Sequence, residues 1–129
     1  MGSNKVVVGV IKYRGKIIIG RKNPNSGKWF AGKWHLPGET LEQGESYEDA
    51  LKRGMKAETG LEVQVGRQLA SHVSPNEIRV NWYECSAIGG ELKAGEDLVE
   101  VRAVEKREVQ PLCGERVVPL WPDEIKKYF

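Results

Sequence analysis

The residues best suited to chemistry lie in Leu36–Leu61, LPGETLEQGESYEDALKRGMKAETGL, which combines a Gly-rich turn, an acidic approach and one helix. Ser46 followed by Asp49 has the S-x-x-[DE] form of a capping box, so a helix is predicted to begin there. Gly60 stands where that helix would end, about four turns later. Residues three and four apart share a helix face, and one such face carries Arg53, Gly54, Ala57 and Glu58. A guanidinium and a carboxylate are available there for ionic chemistry, while a solvated surface glutamate is the plainer interpretation of Glu58.

Outside this stretch, the residues that could contact a ligand are arginines and aromatic residues on predicted strands. Arginine can grip a phosphate through two parallel hydrogen bonds, and aromatic faces commonly stack on a nucleobase. The candidates are Arg21, Arg79, Arg102, Trp29, Trp34, His35, Trp82 and Tyr83. Solvated arginines and core aromatic rings are the alternative interpretations, and the sequence leaves both open.

The stretch resembles the Nudix box of the Nudix hydrolases, whose usual form is G-x5-E-x7-R-E-U-x-E-E-x-G-U, with U a bulky aliphatic residue. In the best register the matching residues are Glu45, Arg53, Met55, Glu58, Gly60 and Leu61. Three positions depart from the pattern, because Glu39 replaces a glycine and Gly54 and Ala57 each replace a glutamate. The W-H-L-P-G run before the box also fits the family.

The resemblance implies a divalent cation, Mg²⁺ or Mn²⁺, on the box helix. Both are hard cations that take oxygen ligands and bridge to substrate phosphates, where they polarise the pyrophosphate and activate a water molecule. The implied metal ligands are Glu58, a backbone carbonyl near Gly38, and Glu39 as a partial replacement for the carboxylates lost at 54 and 57. A glutamate replacing a glycine with no strict backbone demand is the alternative for Glu39. Substituting both Gly54→Glu and Ala57→Glu is expected to restore Mg²⁺-dependent stabilisation and turnover.

Other box positions receive supporting roles from the same resemblance. Glu45 and Arg53 are expected to form an ion pair that ties the loop to the helix, with a secondary catalytic role for Glu45. Gly38 and Gly60 complete the structural motif. Asp97 precedes a late strand, in a region where several Nudix enzymes carry an acidic residue that completes the metal site or acts as a base. The catalytic candidates are thus Glu58, Glu45, Glu39 and Asp97, and the substrate-binding candidates are Arg21, Trp34, Arg79 and Trp82.

The elements that must position these residues are strands interrupted by one central helix. The predicted strands are Lys5–Tyr13, Lys16–Arg21, Trp29–Leu36, Glu62–Val73, Ile78–Ile88 and Asp97–Val104. Gly66 predicts a bulge in the fourth strand, Gly89 and Gly90 are expected to end the fifth, and Pro122 at the first helical position predicts a short terminal helix. This pattern predicts an α/β layered domain with a mixed sheet. The resemblance implies the Nudix-type α/β/α sandwich.

The whole chain sets the remaining bounds. Its 129 residues suit one Nudix domain, 1–129, with enough chain to bury a core. No run approaches the length of a membrane span, and no signal peptide opens the chain, so a cytoplasmic protein is expected. The two cysteines support neither a disulfide framework nor a zinc cluster. The net charge of +2 gives no argument for a nucleic-acid partner.

These observations favour a Nudix-type pyrophosphohydrolase that acts on a nucleoside diphosphate linked to another moiety. Two of the three helix glutamates are missing, so weakened activity is expected. The alternative is a catalytically inactive Nudix-fold module that binds a nucleotide or regulates another protein. The expected partner is a small-molecule nucleotide, and a homodimer is possible by analogy with the family.

Overall fold

Residues 4–27 and 30–129 are described by the computed structural model, and within them seven strands and three α-helices are present. The strands are β1 (Lys5–Tyr13), β2 (Lys16–Lys22), β3 (Trp34–His35), β4 (Gly38–Thr40), β5 (Leu61–Val73), β6 (Arg79–Gly90) and β7 (Leu98–Val104). The helices are α1 (Tyr47–Thr59), α2 (Val109–Cys113) and α3 (Asp123–Tyr128). None of the helices in this part of the chain is long and apolar enough to cross a membrane.

The seven strands form one mixed sheet. Its main path runs in the order β3-β2-β1-β6-β5, with β4 paired to β1 and β7 paired to β2. The central pair β1 and β6 is parallel, from Lys5 opposite Arg79 to Lys12 opposite Ser86, and the other pairings are antiparallel. The mixed sheet expected from the sequence is therefore confirmed.

Helices cover both faces of this sheet. Successive side chains of a buried strand point to opposite sides, so a strand such as β1 contributes apolar residues to a core on each face. On β1, Val7 and Ile11 belong to the core beneath α1, whereas Val8 and Val10 belong to the core on the side of α2 and α3. The α1 side is filled by Ile18, Leu51, Met55, Leu61 and Val63, and the other side by Ile19, Trp82, Val109, Trp121 and Ile125. This arrangement is the α/β/α sandwich that the resemblance implies.

Several element boundaries differ from those expected. Gly89 and Gly90 lie inside β6, opposite Glu62 and Leu61 of β5, because the hairpin partner continues to that point. Pro122 occupies the N-cap of α3 rather than its first helical position. The strand expected over Trp29–Leu36 is limited to β3, and Trp29 itself lies outside the described residues.

Two features were not anticipated, and the first bears on the site. Residues 38–40 form β4, which pairs with β1 in the register Val8 opposite Gly38, so the start of the acidic loop is anchored beside the sheet centre. The second is α2, flanked by short 3-10 turns at Lys106–Glu108 and Val118–Leu120.

Candidate metal and phosphate site

Helix α1 has the ends that its sequence predicts. The Ser46 hydroxyl accepts a hydrogen bond from the Asp49 N–H at 3.1 Å, which satisfies one of the free donors of the first turn. Gly60 adopts a left-handed φ of +77° and its N–H donates to the Lys56 carbonyl, so the helix stops there. The loop before β7 is fastened to this end, because the Gly95 N–H donates to the Glu58 carbonyl at 3.0 Å. This hydrogen bond brings Asp97 to the same end of the sheet as Glu58.

Glu58 is buried without a full set of partners. Only 5 % of the residue is exposed, and its Oε1 has no hydrogen-bond partner within the described part of the chain. The pKa of its carboxyl is raised to about 7, chiefly by burial and also by the charges of Glu39 and Asp97, while Lys22 and a hydrogen bond from the Gly38 backbone oppose the rise. A buried carboxyl with an unpartnered oxygen is costly to a protein unless a ligand completes it.

Lys22, the last residue of β2, supplies the positive charge among these carboxylates. Its side chain is only 8 % exposed and its ammonium lies 3.1 Å from Oδ2 of Asp97. The Asn23 N–H also donates to the Asp97 carbonyl at 2.8 Å, which fixes the two segments together. The sequence interpretation missed Lys22, because it ended the strand at Arg21 and no local signal separates a buried lysine from a solvated one.

Glu39, on β4, points its carboxylate toward α1. Oε2 lies 3.5 Å from Arg53 Nη1, and Oε1 accepts a hydrogen bond from the Thr40 N–H at 2.9 Å. A Cβ atom added to Gly54 would lie 2.5 Å from Glu39 Cβ, a separation that real Cβ atoms essentially never show. Glu39 already fills the space above position 54, so the expectation that Gly54→Glu with Ala57→Glu would restore the site stays a prediction that requires Glu39 to move.

Arg53 and Glu45 form the ion pair that the resemblance implies. Arg53 Nε and Nη2 lie 2.9 Å from the two oxygens of Glu45, which is bidentate pairing. These hydrogen bonds, followed by one from the Glu42 N–H, lower the pKa of Glu45 to about 2, and the same pairing raises the pKa of Arg53. Arg53 Nη2 also donates to the Thr40 carbonyl at 3.0 Å, so one guanidinium ties the acidic loop to α1.

Replacing Arg53 with alanine is expected to lower the Tm by several degrees, because it releases the loop and leaves Glu45 without its partner. The double variant with Glu45→Ala should be destabilised by less than the sum of the two single changes. Thermal and denaturant melts measure both quantities. Arg53→Lys is the matched variant, since it keeps the charge but loses the bidentate geometry and should recover only part of the Tm. Strict additivity of the two alanine changes would show that the pair does not couple.

Two of the aromatic residues that could contact a ligand are core residues in the structure. Trp82 is only 2 % exposed and its ring packs against His35, His72 and Trp121, so the prediction that it binds substrate is corrected to a core role. His35 is also a core residue: its Nδ1–H donates to the Leu36 carbonyl at 2.6 Å and its Nε2 accepts from Trp121 Nε1 at 3.3 Å.

The three candidate strand arginines have different surroundings. Arg79 donates to the Ser71 hydroxyl at 3.1 Å, on the neighbouring strand β5. Arg21 lies opposite Trp34 in the β2–β3 register, and its Nε is 3.5 Å from Glu100 Oε1. Beside them the Arg102 guanidinium lies 4.9 Å from the centre of the Trp34 ring. Trp34 also borders a cleft of about 350 Å³ that Lys33, Leu112, Cys113 and Arg116 help to line.

The donor set around Glu58 consists of hard oxygen atoms, which suits Mg²⁺ or Mn²⁺ better than a softer transition metal. Among the residues that the structure describes, no group of three or more acidic, histidine or cysteine side chains converges closely enough to form a complete metal cage. Mg²⁺ usually binds through one or two carboxylates together with waters and substrate phosphates. The residues present therefore fit an ion that is completed by its substrate, and the unpartnered Oε1 of Glu58 is the clearest oxygen available to it.

The raised pKa of Glu58 predicts how the stability of the metal-free protein depends on pH. The folded protein holds this proton up to about pH 7 and the unfolded chain only to about 4.5, so stability should fall as pH rises between these values. At about 1.4 kcal/mol per pH unit, the loss is at most about 3 kcal/mol. Melts in chelator should show it in the wild type and not in Glu58→Gln. Their difference removes the contribution of His35, whose lowered pKa has the opposite effect on stability. Identical pH profiles for the two proteins would contradict the buried carboxyl.

The mixed sheet lies between α1 and the α2–α3 layer, and an arginine pins the acidic loop to α1, as the Nudix resemblance implies. Residues 3–117 match the sequence profile of the NUDIX domain. The chain is 36% identical over 99 residues to an ADP-ribose pyrophosphatase from Methanocaldococcus jannaschii, covering 73% of this chain and 57% of that protein. It is 34% identical over 95 residues to a CTP pyrophosphohydrolase from Escherichia coli, covering 71% of this chain and 69% of that protein. This chain therefore belongs to the NUDIX family.

The solved structures agree with this fold. The crystal structure of a MutT protein from Methanosarcina mazei Go1 superposes with a TM-score of 0.75 at 22% identity, covering 96% of this chain and 91% of that one. A NUDIX hydrolase from Nitrosomonas europaea superposes with a TM-score of 0.78 at 17% identity, covering 96% of this chain and 68% of that one. At these identities the likeness establishes the fold.

Proposed function

We propose that this protein is a Nudix-type pyrophosphohydrolase that cleaves the pyrophosphate of a nucleoside diphosphate linked to another moiety, with a rate weakened by the missing helix glutamates. The observation that carries the proposal is the buried Glu58, which has an unpartnered Oε1 and a carboxyl on which the charges of Lys22, Glu39 and Asp97 act. The names of the two curated relatives, an ADP-ribose pyrophosphatase and a CTP pyrophosphohydrolase, support the same reaction class.

Each side chain at this site would have a distinct role in hydrolysis. Glu58 and Glu39, with the backbone carbonyl of Gly38, would hold Mg²⁺ or Mn²⁺. The bound ion would supply Lewis-acid polarisation of the phosphoryl oxygen and a more acidic water molecule. Asp97 would accept a proton from the attacking water, and it is paired with Lys22 at 3.1 Å. Lys22 would stabilise the negative charge that develops on the phosphoryl oxygens, acting as a point charge in a water-poor site.

Glu45 would serve mainly to position the loop. Its two oxygens are both occupied by Arg53, so its pairing holds the strand that carries Glu39 and Gly38 against α1. This contribution is indirect, and the bidentate pair leaves little of the carboxylate free to contact a substrate.

The nucleobase of the substrate would lie across the edge of the sheet from the carboxylates. The end of β2 directs Lys22 toward the carboxylates, while the preceding Arg21 is in register with Trp34. An aromatic face and an arginine beside a cleft are suited to a nucleobase and a phosphate respectively. We therefore assign Trp34 and Arg21 to substrate binding, next to the cleft that Trp34 borders.

A second candidate, a nucleotide-binding module without turnover, is favoured by one observation: α1 retains Glu58 as its only carboxylate on the face that includes Gly54 and Ala57. The two candidates differ in what they need from the metal. The enzyme should release a nucleoside monophosphate from ADP-ribose or an ADP-linked compound, or pyrophosphate from CTP, only when Mg²⁺ or Mn²⁺ is present. A module should bind the same nucleotides equally well in chelator and leave them intact. Chromatography of products and calorimetry with and without Mg²⁺ separate the two.

A further inference from the structure

Gly54 lies in the middle of α1, and the neighbouring side chain of Glu39 explains why a glycine stands there. Glycine is less favourable than alanine inside a helix, because its backbone loses more conformational freedom on folding. At Gly54 the space for a side chain is taken by Glu39, whose Cβ and Cγ would lie 2.5 and 2.7 Å from an added Cβ atom. These are atoms close to the β4 backbone, so they cannot move aside as the tip of a long side chain could. The side chain at position 39 therefore requires a glycine at position 54.

The exchange leaves a carboxylate group in the same region of space. The Glu39 side chain passes over α1 where a side chain from position 54 would begin, and its Oε2 lies 3.2 Å from the added Cβ position. Its charge acts on Glu58, one turn further along the helix. In the sequence the same two positions depart from the box in opposite directions, with glutamate gained at 39 and lost at 54.

We infer that Glu39 is a relocated metal ligand, a carboxylate supplied by strand β4 in place of one from helix α1, so that the site holds its cation between sheet and helix. This inference rests on the proposed function. The feature that points to a ligand there is Glu58, which is 5 % exposed with an unpartnered Oε1. Glu39 is held beside α1 by the Thr40 N–H and Arg53.

The steric half of the inference is tested by stability in chelator. Gly54→Glu should lower the Tm by about 5 °C or more, because the new Cβ meets Glu39 Cβ. Adding Glu39→Gly should remove that clash and return the Tm to the wild-type value or above. A Gly54→Glu variant as stable as the wild type, or a double variant no better than Gly54→Glu alone, would overturn this steric requirement.

The ligand half is tested by Mn²⁺ affinity, measured by the loss of the free-ion signal in electron paramagnetic resonance. Glu39→Gln keeps the shape and should weaken Mn²⁺ binding by about 10-fold or more, while Glu39→Gly with Gly54→Glu should bind within a few-fold of the wild type. The matched control is Glu42→Gln, because Glu42 also pairs with Arg53 Nη1, at 3.7 Å, but is 71% exposed. Its Mn²⁺ affinity should equal that of the wild type.

The outcomes separate this inference from the proposed function. Loss of Mn²⁺ binding in Glu58→Gln with unchanged binding in Glu39→Gln would overturn the inference and leave the proposed metal site standing. Equal weakening in Glu39→Gln and Glu42→Gln would overturn it too, because the effect would then come from Arg53. A wild-type protein that binds no Mn²⁺ at all would overturn both.

Discussion

Replacing Glu58 with glutamine is expected to lower the Mg²⁺-dependent rate of hydrolysis by about 10²–10³-fold, with the fold intact. The reason is that Glu58 offers a buried acidic oxygen without a partner among the described residues, and glutamine keeps its shape but removes the charge that attracts a cation. The rate is measured as kcat on the substrate that the nucleotide panel identifies. Mn²⁺ affinity should fall in parallel.

Loss of activity in Glu58→Gln could also arise from misfolding, and the structure predicts the opposite effect on stability. Removing a carboxyl that is costly to ionise should make the metal-free protein at least as stable as the wild type above pH 7. Glu48→Gln is the matched helix variant, because Glu48 is an exposed residue of α1 that pairs with Lys52 at 2.9 Å. It should keep full activity. An active Glu58→Gln protein would place the cation elsewhere.

Much of the framework could be predicted from sequence because its determinants are local. The α1 boundaries follow from Ser46 and Gly60, whose cap contacts involve neighbouring residues only. Strand β1 has the expected limits because its run of β-branched residues is buried on both faces. The Glu45–Arg53 pair joins residues eight apart within one motif, so the box register was enough to place it.

The parts of the site that the sequence missed depend on contacts between distant segments. The role of Lys22 depends on its ion pair with Asp97. Lys22 precedes α1 in the sequence and Asp97 follows it, and the β2–β7 pairing brings the two together. Trp82 has an aromatic ring that could stack on a nucleobase, and only the packing of α3 on the sheet shows that this ring is covered. The sequence suggested that Glu39 replaces a lost carboxylate, but the steric contact between Glu39 and position 54 is seen only once β4 is packed on α1.

That contact changes which substitution should repair the site. Because Glu39 already provides a carboxylate above position 54, the missing group is the one at Ala57. Ala57→Glu alone should therefore increase the Mg²⁺-dependent rate, by about 10-fold or more, if an added carboxylate acts as one electrostatic stabiliser. Ala57 borders an open cleft of about 320 Å³ with Lys56, Gly60 and Gly95, so a longer side chain has room.

The metal-free Ala57→Glu protein should be slightly less stable, by a few tenths of a kcal/mol, since neighbouring carboxylates on α1 and β4 repel. Mg²⁺ should relieve this repulsion and raise the Tm of the variant more than that of the wild type. Ala57→Gln controls for shape and should gain neither rate nor Mg²⁺-dependent stability. Adding Gly54→Glu should cancel the gain through its clash with Glu39, and adding Glu39→Gly as well should restore it. If Ala57→Glu gains nothing while Mn²⁺ still binds at Glu58, a missing carboxylate is not what limits the rate, and the binding module becomes the better account of this protein.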